Sequence, residues 1–290
     1  MRVNDSQPVS GWNDQTNLPY RATVVLDRLR HQIGVSSRVL FGIWLLLMIL
    51  IPHILRLGDR PALVLAMSLA IVVQNSLVFT ILSRSLGAPV VLRVGLLVLA
   101  VAWLSEVIGV HTGLPFGRYI YTEALQPQFG SVPLQVPAAW LMMLPAAWAV
   151  GSSLSFGGHQ ADHSRRWVNK AAFSLTSGLA FTAWDLFLDP QMVAWQLWRW
   201  ETPGSYFGIP LTNFLGWTLI AAVLSFGLAS FTATEDLPVE ALLLVYTTTW
   251  LLESVGLGLF FGLPGPAAAG FAGMGIFVVL AWRKVLARTT

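Results

Sequence analysis

Apolar residues run along this chain in blocks too long for the interior of a soluble domain, and polar residues are confined to the gaps between them. Eight blocks approach the roughly 20 mostly apolar residues that a helix needs to cross a bilayer. They are residues 39–57, 62–82, 90–110, 132–154, 168–188, 211–231, 239–261 and 265–282. Each predicts a membrane-spanning helix. The fourth block holds Pro133, Pro137 and Pro145, which predict a late entry or a kink. A Gly-Leu-Pro turn at 262–264 predicts a tight hairpin between the last two blocks. The eighth block is the shortest, so seven spans are the alternative. The predicted fold is an all-α, polytopic integral membrane helix bundle, with one domain at 39–290.

Residues 1–38 break the pattern. They hold Arg2, Arg21, Arg28, Arg30 and Arg38 among Asp, Asn, Ser and Gln, and no apolar core begins before Val39. A cleavable signal peptide has a short basic head followed soon by an apolar run. The segment therefore reads as a cytoplasmic basic tail that lies on the membrane or is disordered.

Composition agrees with a lipid solvent. Only 11% of residues are charged and mean hydropathy is +0.66, against about 25% charged in soluble domains. The chain has no cysteine, which excludes thiol catalysis, disulfides and Cys-ligated metal sites. The net charge of +3 is small and the basic residues are dispersed, so nucleic acid is not an expected partner.

Lys and Arg also set an orientation. With eight spans and the N-terminus inside, the inner side holds the five tail arginines, Arg84, Arg93, Arg165, Arg166, Lys170, Arg283, Lys284 and Arg288, thirteen in all. The outer side holds four: Arg56, Arg60, Arg118 and Arg199. A multi-pass cell-membrane protein with both termini cytoplasmic is expected. Two outer loops, near 111–131 and 189–210, are long and aromatic. Loops of that composition are expected to fold back onto the bundle.

Four acids fall within or at the ends of predicted spans: Glu106, Asp185, Asp189 and Glu253. An ionised carboxylate in hydrocarbon costs roughly 2.5–3.5 kcal/mol on insertion scales, so such groups usually face the bundle interior or a wet cavity. Asp185 and Asp189 are four apart and share a helix face. All four acids lie in the outer half of the predicted bundle, with His111, Arg118 and Asn213 at the same level. That agreement in depth predicts one cavity. Blander roles also fit: Asp189 precedes Pro190, a common stop signal; Glu106 fits an ion pair with Arg118; and His111 fits a helix-end cap.

Thirteen tryptophans are present. Interfacial belts account for many, such as Trp195, Trp198 and Trp200. Trp103, Trp140, Trp148, Trp184 and Trp250, placed within or near spans, fit either lipid-facing packing or an apolar slot walled by rings, whose faces suit a polyene and stabilise a carbocation. Metal chemistry is weakly supported. Asp185 and Asp189 have the spacing of a Mg²⁺-holding prenyltransferase motif, without a second acidic motif or a basic cluster. His159 and His163 alone make a poor metal site. A Mg²⁺-dependent prenyltransferase-like or cyclase-like enzyme, a transporter with intramembrane acids, and a scaffold that binds a polyene without converting it are open readings of these features.

Four stretches are distinctive: 111–125 (HTGLPFGRYIYTEAL), 132–140 (VPLQVPAAW), 183–192 (AWDLFLDPQM) and 206–217 (YFGIPLTNFLGW). They resemble the CruF-type carotenoid hydratases, the carotenoid biosynthesis protein family that includes the bisanhydrobacterioruberin hydratases. The similarity covers roughly residues 40–285. The resemblance implies a membrane enzyme that adds water across the terminal 1,2 (or 1′,2′) double bond of a ψ-end carotenoid such as γ-carotene, a lycopene-like compound or an anhydro-bacterioruberin. It implies no cofactor, and other carotenoid-pathway enzymes are candidate partners. The residues supply the parts such a reaction needs. Asp185 or Glu253 is the expected acid, and Glu106 or Asp189 the expected water-handling carboxylate. His111, Arg118, Tyr119, Tyr121, Trp103, Trp184, Tyr206, Asn213 and Trp250 are the expected substrate-binding set.

Overall fold

The computed structural model describes residues 18–155 and 163–288. Eight of its helices are long and apolar enough to cross a membrane, as the hydropathy pattern predicts. In chain order the helices are α1 (Leu18–Gln32), α2 (Val35–Arg56), α3 (Arg60–Leu86), α4 (Ala88–Thr112), α5 (Gln135–Ser155), α6 (His163–Ala194), α7 (Leu211–Phe231), α8 (Val239–Val255) and α9 (Pro264–Ala287). A π-helical turn, Gly256–Phe260, continues α8. Four short strands lie in the two long loops: β1 (Tyr119–Tyr121), β2 (Gln128–Phe129), β3 (Val132–Pro133) and β4 (Trp198–Trp200).

Helix α5 is the centre of the bundle. Every residue from Met143 to Ser153 is buried, and the helix packs against α3, α4, α6, α8 and α9. Its sequence explains this. Small side chains dominate the stretch, and in lipid, where apolar residues gain little from meeting one another, small residues permit the close backbone approach that drives helix association. At Gly151 an added Cβ would lie 2.1 Å from Ser177 Oγ of α6, so only glycine fits. Pro145 is accommodated inside the helix. Pro133 lies outside it in β3, so the span starts late, as its prolines predict.

Two further expectations are refined. The Asp189–Pro190 pair does not end its helix: α6 runs on to Ala194. Part of the basic tail, Leu18–Gln32, is helical, and it packs on α3, α8 and α9. There Gln32 Nε2 and Arg28 Nη1 donate to the Glu240 carboxylate at 2.6 and 3.2 Å, and Gln32 Oε1 accepts from the Ala241 N–H at 2.8 Å. Helix α8 has no side-chain N-cap of its own, so α1 satisfies its first turn from across the bundle. Residues 1–17 of the tail and His159 lie outside the described residues.

The aromatic loops fold back onto the bundle. Strands β1 and β4 pair antiparallel, with Tyr119 opposite Trp200, Ile120 opposite Arg199 and Tyr121 opposite Trp198. Side chains alternate across a strand. Ile120 and Arg199 therefore face out, and the four aromatic side chains face the helices. This flap covers the helix ends nearest the buried acids.

Candidate active site

Beneath the flap, α4 and α6 bring three carboxyl groups into one cluster. Glu106, on α4, and Asp189, on α6, are each 2% exposed, and Asp185, one turn earlier on α6, is 0% exposed. Glu106 and Asp189 are linked through the flap: the Tyr121 ring, whose hydroxyl holds Glu106, packs edge-on at 5.7 Å against Trp198, whose indole holds Asp189. Glu106 Oε2 accepts a hydrogen bond from the Tyr121 hydroxyl at 2.7 Å and another from the Tyr119 hydroxyl. Both phenols come from β1, and two-residue alternation puts them on the same face. Gly109, one turn after Glu106, leaves the room: a Cβ there would meet Phe116 and the Tyr119 hydroxyl. Burial, and then the neighbouring Glu106 charge, push both phenols above their ordinary ionisation range. They stay neutral hydrogen-bond donors.

The two aspartates share one donor. Asn213, in the first turn of α7, donates through Nδ2 to Asp185 Oδ2 at 2.8 Å and to Asp189 Oδ2 at 2.5 Å. The other Asp189 oxygen accepts from the Trp198 indole of β4 at 3.1 Å. The remaining Asp185 oxygen, Oδ1, is buried with no partner among the described residues. Asp189 faces the cavity, and Asp185 stands behind it.

That cavity has a volume of about 280 Å³, and Glu106, Tyr119, Tyr121, Asp189 and Asn213 form one end of its wall. Most of the rest is apolar. Rings crowd beside the acids: Trp184 and Trp217 line the cavity, and Trp217 stacks on Phe181 at 5.1 Å and packs against Trp140 at 4.8 Å. Among the described residues the wall carries no Lys or Arg to counter a diphosphate, and no group of three metal-ligating side chains occurs.

Glu253, on α8, also lines the cavity. It is 8% exposed, and its carboxyl group, unlike those of the cluster, is held by no neighbouring side chain among the described residues. Thr249, one turn before it, approaches Met143 Sδ at 3.6 Å, and Gln74 of α3 reaches the same sulfur at 3.3 Å.

The structure thus gathers Glu106, Asp185, Asp189, Tyr119, Tyr121, Trp184 and Asn213 at one place, with Glu253 on the same wall. It does not bring the other expected residues there. His111 is exposed at the end of α4, with Nδ1 on the Val107 carbonyl. Arg118 is exposed and makes no ion pair with Glu106 among the described residues. Trp103 and Trp250 are half-buried outside the cavity, each stacked on a phenylalanine whose carbonyl takes its indole N–H: Phe129 and Phe271 respectively. Tyr206 stands behind α6, its hydroxyl donating to the Leu186 carbonyl at 2.9 Å. The sequence reading missed Trp217 and assigned Trp198 to an interfacial belt. The four-residue step from Asn213 to Trp217, and the Trp-Arg-Trp alternation at 198–200, are the signals that point to both.

Fold and site together define an integral membrane protein with an acid cluster at the closed end of an apolar, ring-lined cavity. The profile of the carotenoid biosynthesis protein family matches residues 64–279, and this chain belongs to that family. Among curated proteins it is similar to the bisanhydrobacterioruberin hydratase of Haloarcula japonica, 31% identical over 135 residues. The aligned stretch is 45% of this chain and spans 43% of the relative's length. No solved structure matches the chain.

Proposed function

We propose that this protein is a carotenoid hydratase that adds water across the terminal 1,2 (or 1′,2′) double bond of a ψ-end carotenoid. The observation that carries the reading is the convergence of three carboxyl groups at one place, Glu106 and Asp189 on the wall of a cavity otherwise suited to hydrocarbon and Asp185 directly behind Asp189. The named activity of the Haloarcula relative supports it.

An isolated trisubstituted alkene is a weak base, so hydration begins with a strong, well-placed acid. The Asp185–Asp189–Asn213 unit is the proton source. Two adjacent carboxyl groups sharing one amide donor cannot both ionise without repulsion, and Asp189 presents the proton to the cavity. Transfer to C2 forms a C–H bond and leaves a tertiary cation at C1. The faces of Trp184 and Trp217 stabilise that charge. Glu106, an acceptor held by two phenols, orients a water molecule. The water oxygen bonds to C1 and its proton passes to Glu106. The product is a tertiary alcohol, one water heavier than the substrate. Return of the proton from Glu106 to the aspartate pair, across the cluster, completes the cycle.

The excess of Lys and Arg at the ends opposite the flap supports cytoplasmic termini, which puts the acid cluster in the outer half of the bilayer. The test is co-expression in a host that makes lycopene or γ-carotene, followed by mass analysis of the pigments. A product heavier by one water supports the reading. Unchanged pigment with the protein present in the membrane contradicts it.

A further inference from the structure

The cavity has an open side, rimmed by exposed residues of α2 and α8. Most of the wall is buried, but Ile49 of α2 is 54% exposed, Val255 of α8 is 47% exposed and Phe260 of the π-helical turn is 37% exposed. His53, one turn beyond Ile49, is the other exposed residue of this rim, and its Nδ1 is satisfied by the Ile49 carbonyl at 2.9 Å. All four sit on two elements, α2 and the end of α8. Helix α2 packs along α3, and no comparable packing joins it to α8 among the described residues. The two helices therefore flank a cleft. At the flap end it is spanned by the Arg56 guanidinium, 5.2 Å from the centre of the Phe260 ring. At the opposite end α1 packs on α3 and α8, so the opening is bounded above and below and gives sideways onto the bilayer.

The geometry points to a lateral portal between α2 and α8 that holds the shaft of a long linear polyene, with its end group in the cavity and the remainder in the membrane. This rests on the reading above and adds the route and the binding mode. Size is the first argument. A cavity of about 280 Å³ falls just below the roughly 300–1,000 Å³ that buries a drug-sized ligand. A C40 polyene is larger than a drug-sized ligand, so a cavity of this size encloses its end group and leaves the rest of the chain outside. Chemistry is the second. The flap end is closed by the β1–β4 pair and the Arg56 guanidinium, and away from Arg56 the rim between α2 and α8 is apolar apart from His53. A polyene leaving there passes from apolar wall to acyl chains without crossing water or an ionised group. Local backbone is the third. The π-helical turn Gly256–Phe260 re-aims the end of α8, and such turns recur where helices border functional sites.

The chain contains no cysteine, so engineered thiols report on the portal alone. The double variant Ile49→Cys/Val255→Cys is folded and purified first, then bridged with a cleavable bis-thiol reagent in lipid nanodiscs. Leu219→Cys/Val223→Cys on the lipid-facing side of α7, where both residues are 57% exposed, is the control. Lycopene binding is read by quenching of tryptophan fluorescence, which needs no turnover. Bridging the α2–α8 pair is expected to lower lycopene bound at least tenfold, with recovery on cleavage, while bridging the α7 pair changes nothing. Equal lycopene binding before and after the α2–α8 bridge overturns the portal, as does an open protein that binds no lycopene. Binding that the bridge abolishes, in a protein that never hydrates the pigment, upholds the portal and removes the hydratase reading.

Discussion

The Tyr121 hydroxyl donates to Glu106 Oε2 at 2.7 Å, tying a strand of the flap to a carboxyl group inside a membrane helix. Tyr119 donates to the same oxygen, so one carboxyl oxygen is fixed by two donors from one three-residue strand. Removing either hydroxyl frees Glu106 to rotate. Tyr119→Phe and Tyr121→Phe are each expected to lower hydration about tenfold and the double variant about a hundredfold, in line with the loss of one or both partners of a positioned base. Pigment analysis of cells expressing each variant at equal level checks this.

The same phenols set an alkaline limit on stability. Burial pushes their ionisation above the ordinary value of 10.0. In the unfolded chain they ionise near that value, while the folded protein keeps them neutral. Their contribution is therefore fully present below about pH 10 and is lost as pH rises further. Thermal unfolding followed from pH 8 to 11 should show Tm falling above about pH 10, and the Tyr119→Phe/Tyr121→Phe variant should lose part of that fall.

Asp185 and Asp189 have different exposures to the cavity, and Glu253 shares no donor with either. Asp189→Asn and Asp185→Asn are each expected to lower hydration on the order of 10²–10⁴-fold, the usual range for loss of a general acid, with the protein still folded and membrane-inserted. Glu253→Gln is expected to retain activity within about threefold, because its carboxyl group lies outside the proton-sharing cluster. A larger loss in Glu253→Gln than in Asp189→Asn would move the acid to α8.

Trp217 touches three other rings near the acids. If its face stabilises the cation, the contribution is about 0.5–2 kcal/mol. Trp217→Leu is then expected to lower kcat by roughly 2- to 30-fold with little change in KM, whereas Trp217→Phe, which keeps a ring, should lose less. A loss confined to KM would make Trp217 a packing residue of the cavity.

The spans were legible because length alone carries them: a helix rises a fixed distance per residue, so an apolar run of the right length can only cross. Depth was legible for the same reason, and Glu106, Asp189 and Glu253 share one cavity wall as their positions in the chain predict. The direction each side chain faces was not. Helices α4, α7 and α8 are apolar on all sides, since one side meets lipid and another the core. No periodicity separates Trp184, on the cavity wall, from Trp103 and Trp250, outside it. The flap was half legible. Alternation in Tyr119–Tyr121 and Trp198–Trp200 marks strands, but their pairing joins residues some 80 positions apart, and no local pattern carries that register. It is this pairing that draws Trp198 inward onto Asp189.

The central claim is that a carboxylic acid delivers a proton to carbon and water supplies the oxygen. Turnover of lycopene by the purified protein in deuterium oxide, with the product washed into ordinary water before mass analysis, tests it directly. The account requires a tertiary alcohol that retains one non-exchangeable deuterium on C2, and no such product from Asp189→Asn. An alcohol without carbon-bound deuterium, or a product differing from substrate by a change in oxidation level, would contradict it.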